Sequence, residues 1–491
     1  MNKENTYQTI VKSMALFGGV QVFTILISII RSKFIAVWLG PMGMGIASLL
    51  NATMGLINGF TNFGLDRSAV KDISFGVSKD DVSQQVKIIQ IVRRLVWFTV
   101  LLGVFVMIIA SSILSEIAFG NSDYTFAFIW VSIALLFKQL TNGELAILQG
   151  LRRLSNLAKA NLLGNLLGLL ITLPLYYFYR IDAIVPSMII ASITSYIFTF
   201  YFSFKEGRGG NPISNKIALR EGKEMIHLGV MLSISSLIAL ATAYIIQVFI
   251  SNIGSIDEVG LYNAGFVILN TYVGLIFTAM ATDYYPRLAA IHDKIEEVRK
   301  MVFEQAYMAI LIITPIIVVF LMFAPFIINL LYSEEFSPIV GFVNWGILGM
   351  VFKTVSFSIG YVIIAKGDSK LFIKTAVGFN TVLLIINFLG YYFGGLHGLG
   401  ISFFIYYIIH FMALKIITYK RYSFYFLKGF YPVFTVCALL CITAFGLTFF
   451  PSAIIKYGLL GLLSAIAVIY SYYQINRKMN IKEFLKSFLK R

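Results

Sequence analysis

Residues 27–40 read ISIIRSKFIAVWLG, and two cations, Arg31 and Lys33, stand in a run that is apolar on both sides. Upstream, residues 14–30 read MALFGGVQVFTILISII. A run of about 20 such residues crosses a bilayer as a helix. A cation at the bilayer centre costs roughly 2.5–3.5 kcal/mol on insertion scales. Arg31 and Lys33 therefore each need a water-filled cavity, a partner, or a path to the headgroups. Gln21, Thr24, Ser28 and Arg31 step by three and four residues, which is one polar stripe on an otherwise apolar helix. Lys33 points away from that stripe, about 200° around from Arg31 at 3.6 residues per turn, and is expected to snorkel or to pair with an acid. Two readings compete for Arg31: a cation facing a lumen, or one capping carbonyls of a bent helix.

The same problem recurs along the chain. Of 491 residues, 58% are hydrophobic and 13% are charged, whereas a soluble protein carries about 25% charged residues. We read an all-α polytopic membrane protein with about 14 transmembrane helices, near 13–39, 42–66, 95–114, 126–149, 156–179, 184–204, 225–250, 260–285, 301–323, 338–365, 371–393, 397–417, 430–450 and 453–473. Residues 1–12 are polar and no A-x-A-like site follows the first apolar run, so no cleavable leader is expected. Cys437 and Cys441 are one turn apart on an apolar helix and the four histidines are scattered. No disulfide framework, metal site or cofactor is expected.

The net charge of +16 is distributed as a membrane requires. Of 39 Lys and Arg, 33 fall in alternate connections and at the termini, two (Arg180 and Lys456) fall in the other connections, and the remaining four lie within spans. By the positive-inside rule both termini are cytoplasmic. The four intramembrane cations are Arg31, Lys33, Lys138 and Lys353. The tail after residue 474 places Ile481, Phe484, Leu485, Phe488 and Leu489 on one face and lysines on the other, a pattern suited to an anionic lipid surface.

A repeat with an offset of 215 runs through the chain. Phe137-Lys138 returns as Phe352-Lys353, Lys159 as Lys374, Asn165 as Asn380, residues 176–178 (YYF) as 391–393, and Gly45 as Gly260. Each copy holds six spans, an even number, so the two repeats are parallel. The expected domains are 1–204 and 225–428 as six-helix bundles, 205–224 as a cytoplasmic linker, 429–473 as an extra helix pair and 474–491 as a basic amphipathic cytoplasmic tail. Parallel-repeat transporters bind substrate near the midplane. The expected substrate-binding cations are Arg31, Lys138 and Lys353. Asn142 lies one turn beyond Lys138, and Lys33, Gln21, Thr24 and Ser28 are secondary candidates. The acids Asp66, Glu144 and Asp283 are candidates for coupling or gating. A cationic lumen suits a phosphate, because Arg offers a fork of donors and Lys a point charge.

The stretches RSKFIAVWLGPMGMGIASLLNATMGLINGFTNFGLDRSAVKDIS, FGNSDY, EVGLYNAG and ATDYYPRLAAI resemble the polysaccharide-transporter branch of the multidrug/oligosaccharidyl-lipid/polysaccharide exporter superfamily, the Wzx-type O-antigen flippases. The resemblance implies two bundles in a V-shaped, MATE-like arrangement that work by alternating access. It also implies a cavity arginine at Arg31. The implied substrate is an undecaprenyl-diphosphate-linked oligosaccharide, carried from the cytoplasmic to the periplasmic leaflet of the bacterial inner membrane. Membrane lipids, a polysaccharide polymerase and a chain-length regulator are the implied partners, and nucleic acid is not one. Two alternatives stand beside this reading: a multidrug exporter, which the cationic lumen opposes, and a membrane polymerase or acyltransferase of the same pathway.

Overall fold

The computed structural model describes residues 3–78, 82–207 and 213–478, with side chains from residue 23 onward except at 77–78, 275, 278, 279 and 282. Gln21 and the tail beyond residue 478, expected from its sequence to suit a lipid surface, thus lie outside the described side chains. Among the described residues there are sixteen α-helices and no strand. They are α1 (Lys3–Thr61), α2 (Leu65–Ser78), α3 (Val82–Ile109), α4 (Ser111–Phe119), α5 (Thr125–Gly150), α6 (Leu154–Tyr179), α7 (Ile184–Ser203) and α8 (Asn215–Glu221). There follow α9 (Lys223–Ile253), α10 (Ile256–Val267), α11 (Leu275–Ala290), α12 (Ile295–Leu331), α13 (Ile339–Ala365), α14 (Ser369–Tyr422), α15 (Phe430–Leu447) and α16 (Ala453–Lys478).

Ten helical stretches among the described residues are long and apolar enough to cross a membrane. Their outer faces carry bare aromatic and aliphatic side chains such as Phe105, Tyr201, Phe393 and Ile454. In water such a surface would aggregate; in hydrocarbon it is the solvated surface. The chain is a multi-pass membrane protein.

Three of the ten stretches are broken inside. In α1 the break is Gly40, with φ 66° and ψ −171°. A side chain would resist that φ, and the following Pro41 has no N–H to leave unpaired at the start of the next arm. The LGP sequence therefore ends one arm and begins another, at the boundary read from hydropathy. Between α6 and α7 the break is a short 3-10 turn, Arg180–Ala183. In α14 it is Gly395. A fourth interruption lies between α10 and α11, where residues 268–272 form a π turn.

Two of these breaks reveal the repeat in the backbone itself. Arg180 has φ 52° and ψ −128°, and Gly395 has φ 53° and ψ −139°. They are 215 residues apart, and each turns one membrane arm into the next. Lys138 and Lys353, the first pair noticed in sequence, fall 13 residues after the start of α5 at Thr125 and 14 after the start of α13 at Ile339.

The chain forms two compact units, Met1–Gly260 with Leu331–Ser333, and Leu261–Leu330 with Glu334–Arg491. Loop length suggests a boundary at 205–224, whereas helix packing carries the first unit on through α9. A Cβ on Gly64 would lie 2.2 Å from Gly229 O, and one on Gly229 would lie 2.3 Å from Phe63 O and 2.8 Å from Gly64 O. Arg67 Nη1 donates to Leu232 O at 2.7 Å, and Asn252 Nδ2 to Ile117 O at 2.8 Å. These contacts fasten α9 to α2 and α4.

Also within the first unit, the second arm of α1 crosses the first turn of α10. A Cβ on Gly45 would lie 2.0 Å from Ile256 O, and one on Gly260 would lie 2.0 Å from Pro41 O. Both pairs of partners are related by 215. In the second unit the N-terminus of α14 is capped by Asp368, which accepts from Leu371 N–H at 3.1 Å, Arg421 Nε at 3.1 Å and Tyr422 OH at 3.3 Å. The Leu371 N–H, then Arg421 and Tyr422, hold its carboxyl below the ordinary carboxylate range.

Two outcomes are expected. Gly45→Val costs about 1–3 kcal/mol, the usual penalty of overpacking, and lowers the thermal unfolding midpoint in detergent. Gly378→Ala, with open space around it, leaves the midpoint unchanged. A depressed carboxyl stabilises the fold above its unfolded pKa and ceases to as pH falls through its folded one. The difference in midpoint between wild type and Asp368→Ala is therefore constant above about pH 5 and shrinks below about pH 3.9; a difference that grows on acidification would contradict the assignment.

Candidate functional site

Arg31 and Lys138 meet in the first unit. Both line a cavity of about 460 Å³ enclosed by both arms of α1 and by α5, α6 and α7. The first arm of α1 supplies Arg31 and Ile35, and the second supplies Asn51. From α5 come Lys138, Thr141 and Asn142; from α6, Asn165, Thr172 and Tyr176; from α7, Ser187, Ser192 and Ser195. Among the described residues no carboxylate lines it. Among the described residues neither cation has an ion-pair partner, and Arg31 Nε is buried with no hydrogen bond. Buried charges are ordinarily paired. A surplus of donors facing carboxamides and hydroxyls is what an anion bearing sugar hydroxyls requires.

A second cavity of about 450 Å³ lies alongside, lined by Asp66, Arg67, Val70, Asn142, Leu145, Ala146 and Gln149. Asn142 and Leu145 belong to both. The two therefore adjoin at Asn142 and Leu145, the first reaching to Arg31 and the second to the start of α2. Asp66 sits at that start, accepting from Asn62 Nδ2 at 3.1 Å.

The other candidates have gone elsewhere. Thr24 and Ser28 are not in the lining. Lys33 Nζ donates to the carbonyl of Tyr332. Lys353 is in the second unit, where its Nζ donates to Asn270 Oδ1 at 2.7 Å. It is ringed by Phe277, Phe403 and Tyr407 at 5.5, 5.8 and 5.3 Å from the ring centres. Those π faces supply part of what a counter-ion would. Glu144 is held bidentately by Arg93, Nε to Oε1 and Nη2 to Oε2 both at 2.9 Å. Arg93 also donates to the carbonyls of Ser203 and Glu206 at 3.1 and 2.8 Å, joining α3 and α5 to the end of α7. Asp283 pairs at 2.9 Å with Arg287 one turn on, and both are exposed.

Asn51, Tyr176 and the α7 serines escaped notice in the sequence. The signal existed: Asn165, Gly168, Thr172 and Tyr176 step by three and four along α6, and Ser187, Ala191 and Ser195 by four along α7. Serine and threonine on apolar helices are common enough to hide such stripes.

Residues 20–341 match the family described as polysaccharide biosynthesis protein. The chain belongs to this family. A relative in Shigella flexneri, named as an O-antigen transporter, is 25% identical over 355 residues, 70% of this chain and 82% of its own. The lipid III flippase of Escherichia coli (strain K12) is 23% identical over 366 residues, covering 72% of this polysaccharide biosynthesis family member and 84% of the flippase. In fold, the chain is similar to the lipid II flippase MurJ in an inward closed conformation, with a TM-score of 0.70 at 12% identity over 96% of this chain and 99% of that one. It is also similar to an inward-facing multidrug resistance MATE transporter of the MOP superfamily, with a TM-score of 0.68 at 15% identity, covering 82% and 94%.

Removing one partner of a buried ion pair costs about 3–5 kcal/mol. Glu144→Gln, which leaves Arg93 half-paired, is therefore expected to lower the thermal midpoint in detergent clearly. Asp283→Asn, which breaks an exposed pair worth about 1 kcal/mol or less, leaves it nearly unchanged. Equal effects of the two substitutions would refute the clamp.

Proposed function

We propose that this protein is a flippase that carries an undecaprenyl-diphosphate-linked oligosaccharide from the cytoplasmic to the periplasmic leaflet of a bacterial inner membrane. The observation that carries this reading is the acid-free cavity in which Arg31 and Lys138 stand without counter-ions. The Arg31 fork grips two phosphate oxygens at once, and Lys138 adds a point charge to the same diphosphate. Asn51, Asn142, Asn165 and the hydroxyls of α6 and α7 offer donors and acceptors to the first sugars. Empty, the cavity holds two like charges; an anion between them relieves the repulsion. That gives the ligand a differential affinity for the conformation in which both cations reach it, as alternating access requires. A track past Asn142 to Asp66 and Arg67 is the proposed way in.

The membership of the family, and relatives named for O-antigen transport and lipid III flipping, support transport rather than bond-making chemistry. The likeness to MATE transporters favours a second reading, export of organic cations. Against it stands the charge of the cavity, which repels such a substrate.

We further propose fourteen crossings, with both termini cytoplasmic. Ten stretches, three of them broken once, and the interrupted α10–α11 make up that number. Six crossings belong to each of the two bundles, with α15 and α16 as the extra pair. A polysaccharide polymerase and a chain-length regulator are the proposed pathway partners. Reporter fusions at residue 491 and after residue 120 are expected to give opposite signals; like signals would overturn the topology.

The decisive test is rescue of a strain that lacks its flippase and accumulates the lipid-linked oligosaccharide. Arg31→Ala is expected to abolish rescue at unchanged protein level. Arg31→Lys keeps the charge, loses the fork, and retains part. Lys138→Gln weakens rescue. Full rescue by the alanine variant would sink the diphosphate assignment.

A further inference from the structure

Lys33 stands outside the cavity that its neighbour Arg31 lines. Its Nζ donates to the carbonyl of Tyr332, 299 residues further along the chain. The stretch it holds is unusual. Leu331–Ser333 packs with the first unit, while Leu330 before it and Glu334 after it belong to the second. It links the end of α12 to the 3-10 turn Glu334–Phe336 that precedes α13. The chain of the second unit thus leaves that unit for three residues and returns. Tyr332 is fully buried, and Ser333 Oγ is buried without a hydrogen-bond partner. A buried polar atom without a partner keeps the whole cost of its lost water, so the stretch is seated against a standing penalty. On the topology proposed above it lies on the extracytoplasmic side, as the Gly40 break does.

We propose that Leu331–Ser333 is a strap latched by Lys33, and that a diphosphate bound at Arg31 releases the latch. The second clause rests on the flippase reading; the first does not. Arg31 and Lys33 are two residues apart on the first arm of α1, about 200° around it from each other. One reaches into the cavity and the other to the strap. Two residues of an α-helix move as one body, so a shift of the arm toward an anion in the cavity is a shift away from Tyr332. A hydrogen bond stretched by about 1 Å no longer exists.

Release does not strand the ammonium. Lys33 precedes Leu39, the last residue before the Gly40 break, by six residues, or about 9 Å at 1.5 Å per residue. A lysine stem carries its charge over much of that distance to the headgroups. Ser333 Oγ then reaches water, and the penalty that the seated strap carried is relieved. The two cations thus divide one task, Arg31 sensing the anion and Lys33 holding the strap until it arrives. Such coupling is reciprocal: whatever opens the latch raises the affinity for the anion by the same factor that the anion favours opening. Removing the Lys33 charge is therefore expected to tighten the binding of an anion, the reverse of what the loss of a nearby cation does by simple attraction.

The test uses the full chain in lipid nanodiscs, with Cys437→Ala, Cys441→Ala and Ser333→Cys, so that the strap carries the single thiol. A water-soluble maleimide is expected to label it slowly while Lys33 is in place. Lys33→Met raises the rate by about tenfold or more, the worth of one hydrogen bond to a charged group, and Lys33→Arg, which keeps a donor, does not. Equal rates with Lys33 and with Lys33→Met would overturn the latch. The fold is read separately from the native cysteines, both of them buried. They are expected to stay unlabelled in a Lys33→Met protein that retains them and Ser333; their labelling would mean that Lys33 holds the fold and not a strap. A second arm adds undecaprenyl diphosphate. It is expected to speed the labelling of Ser333→Cys severalfold, to lose that effect in Arg31→Ala, and to bind Lys33→Met more tightly than wild type. Unchanged or weaker binding by Lys33→Met overturns the coupling. Undecaprenyl diphosphate that binds neither protein ends the flippase reading, while the labelling of Lys33→Met against wild type still decides the latch.

Discussion

A charge in hydrocarbon must be given a partner, and the arrangement of this protein follows from how four cations meet that demand. Lys33 takes a backbone carbonyl. Lys353 takes a carboxamide and three aromatic faces. Arg31 and Lys138 share a polar cavity and take nothing from the protein but neutral dipoles. The first two solutions consume the charge. The third keeps it available at a cost of some kcal/mol, and it is there that the diphosphate is proposed to bind. Arg93 shows the contrast within the same unit: its guanidinium is spent on Glu144 and two carbonyls and serves the fold alone.

The two repeats have used one position in two ways. Lys138 and Lys353 occupy equivalent places on α5 and α13, yet one faces a hydroxyl-rich cavity and the other is enclosed by rings. The difference lies in the neighbours. Opposite Lys138, α6 and α7 present Asn, Thr, Ser and Tyr; around Lys353, Phe277, Phe403 and Tyr407 close in. The cationic cavity is thus a property of the first unit, and the second has put its lysine to a different purpose.

Much of this was legible in the chain. Apolar length gave the membrane arms, because a helix is what satisfies a single segment's backbone in lipid. The LGP sequence marked the break after Leu39, and a constant offset of 215 marked the repeat. Arg31 was legible because it stands on a polar stripe, and Lys138 because it recurs. The rest depended on contacts between distant segments. Nothing near Glu144 announces that Arg93, 51 residues earlier, will hold it in two bonds. Nothing in α13 says that rings from α11 and α14 will surround Lys353. Thr24 and Ser28 had the periodicity of a lumenal stripe, but the cavity begins only at Arg31, where α6 and α7 are close enough to wall it.

The glycine crossing in the first unit also limits what the chain can tolerate. Gly45 rests on the carbonyl of Ile256 while Gly260 rests on that of Pro41, so each residue meets the counterpart of the one its own counterpart meets. Two backbones this close leave no room for even a methyl group on either side, so the absence of a side chain is needed at both positions at once.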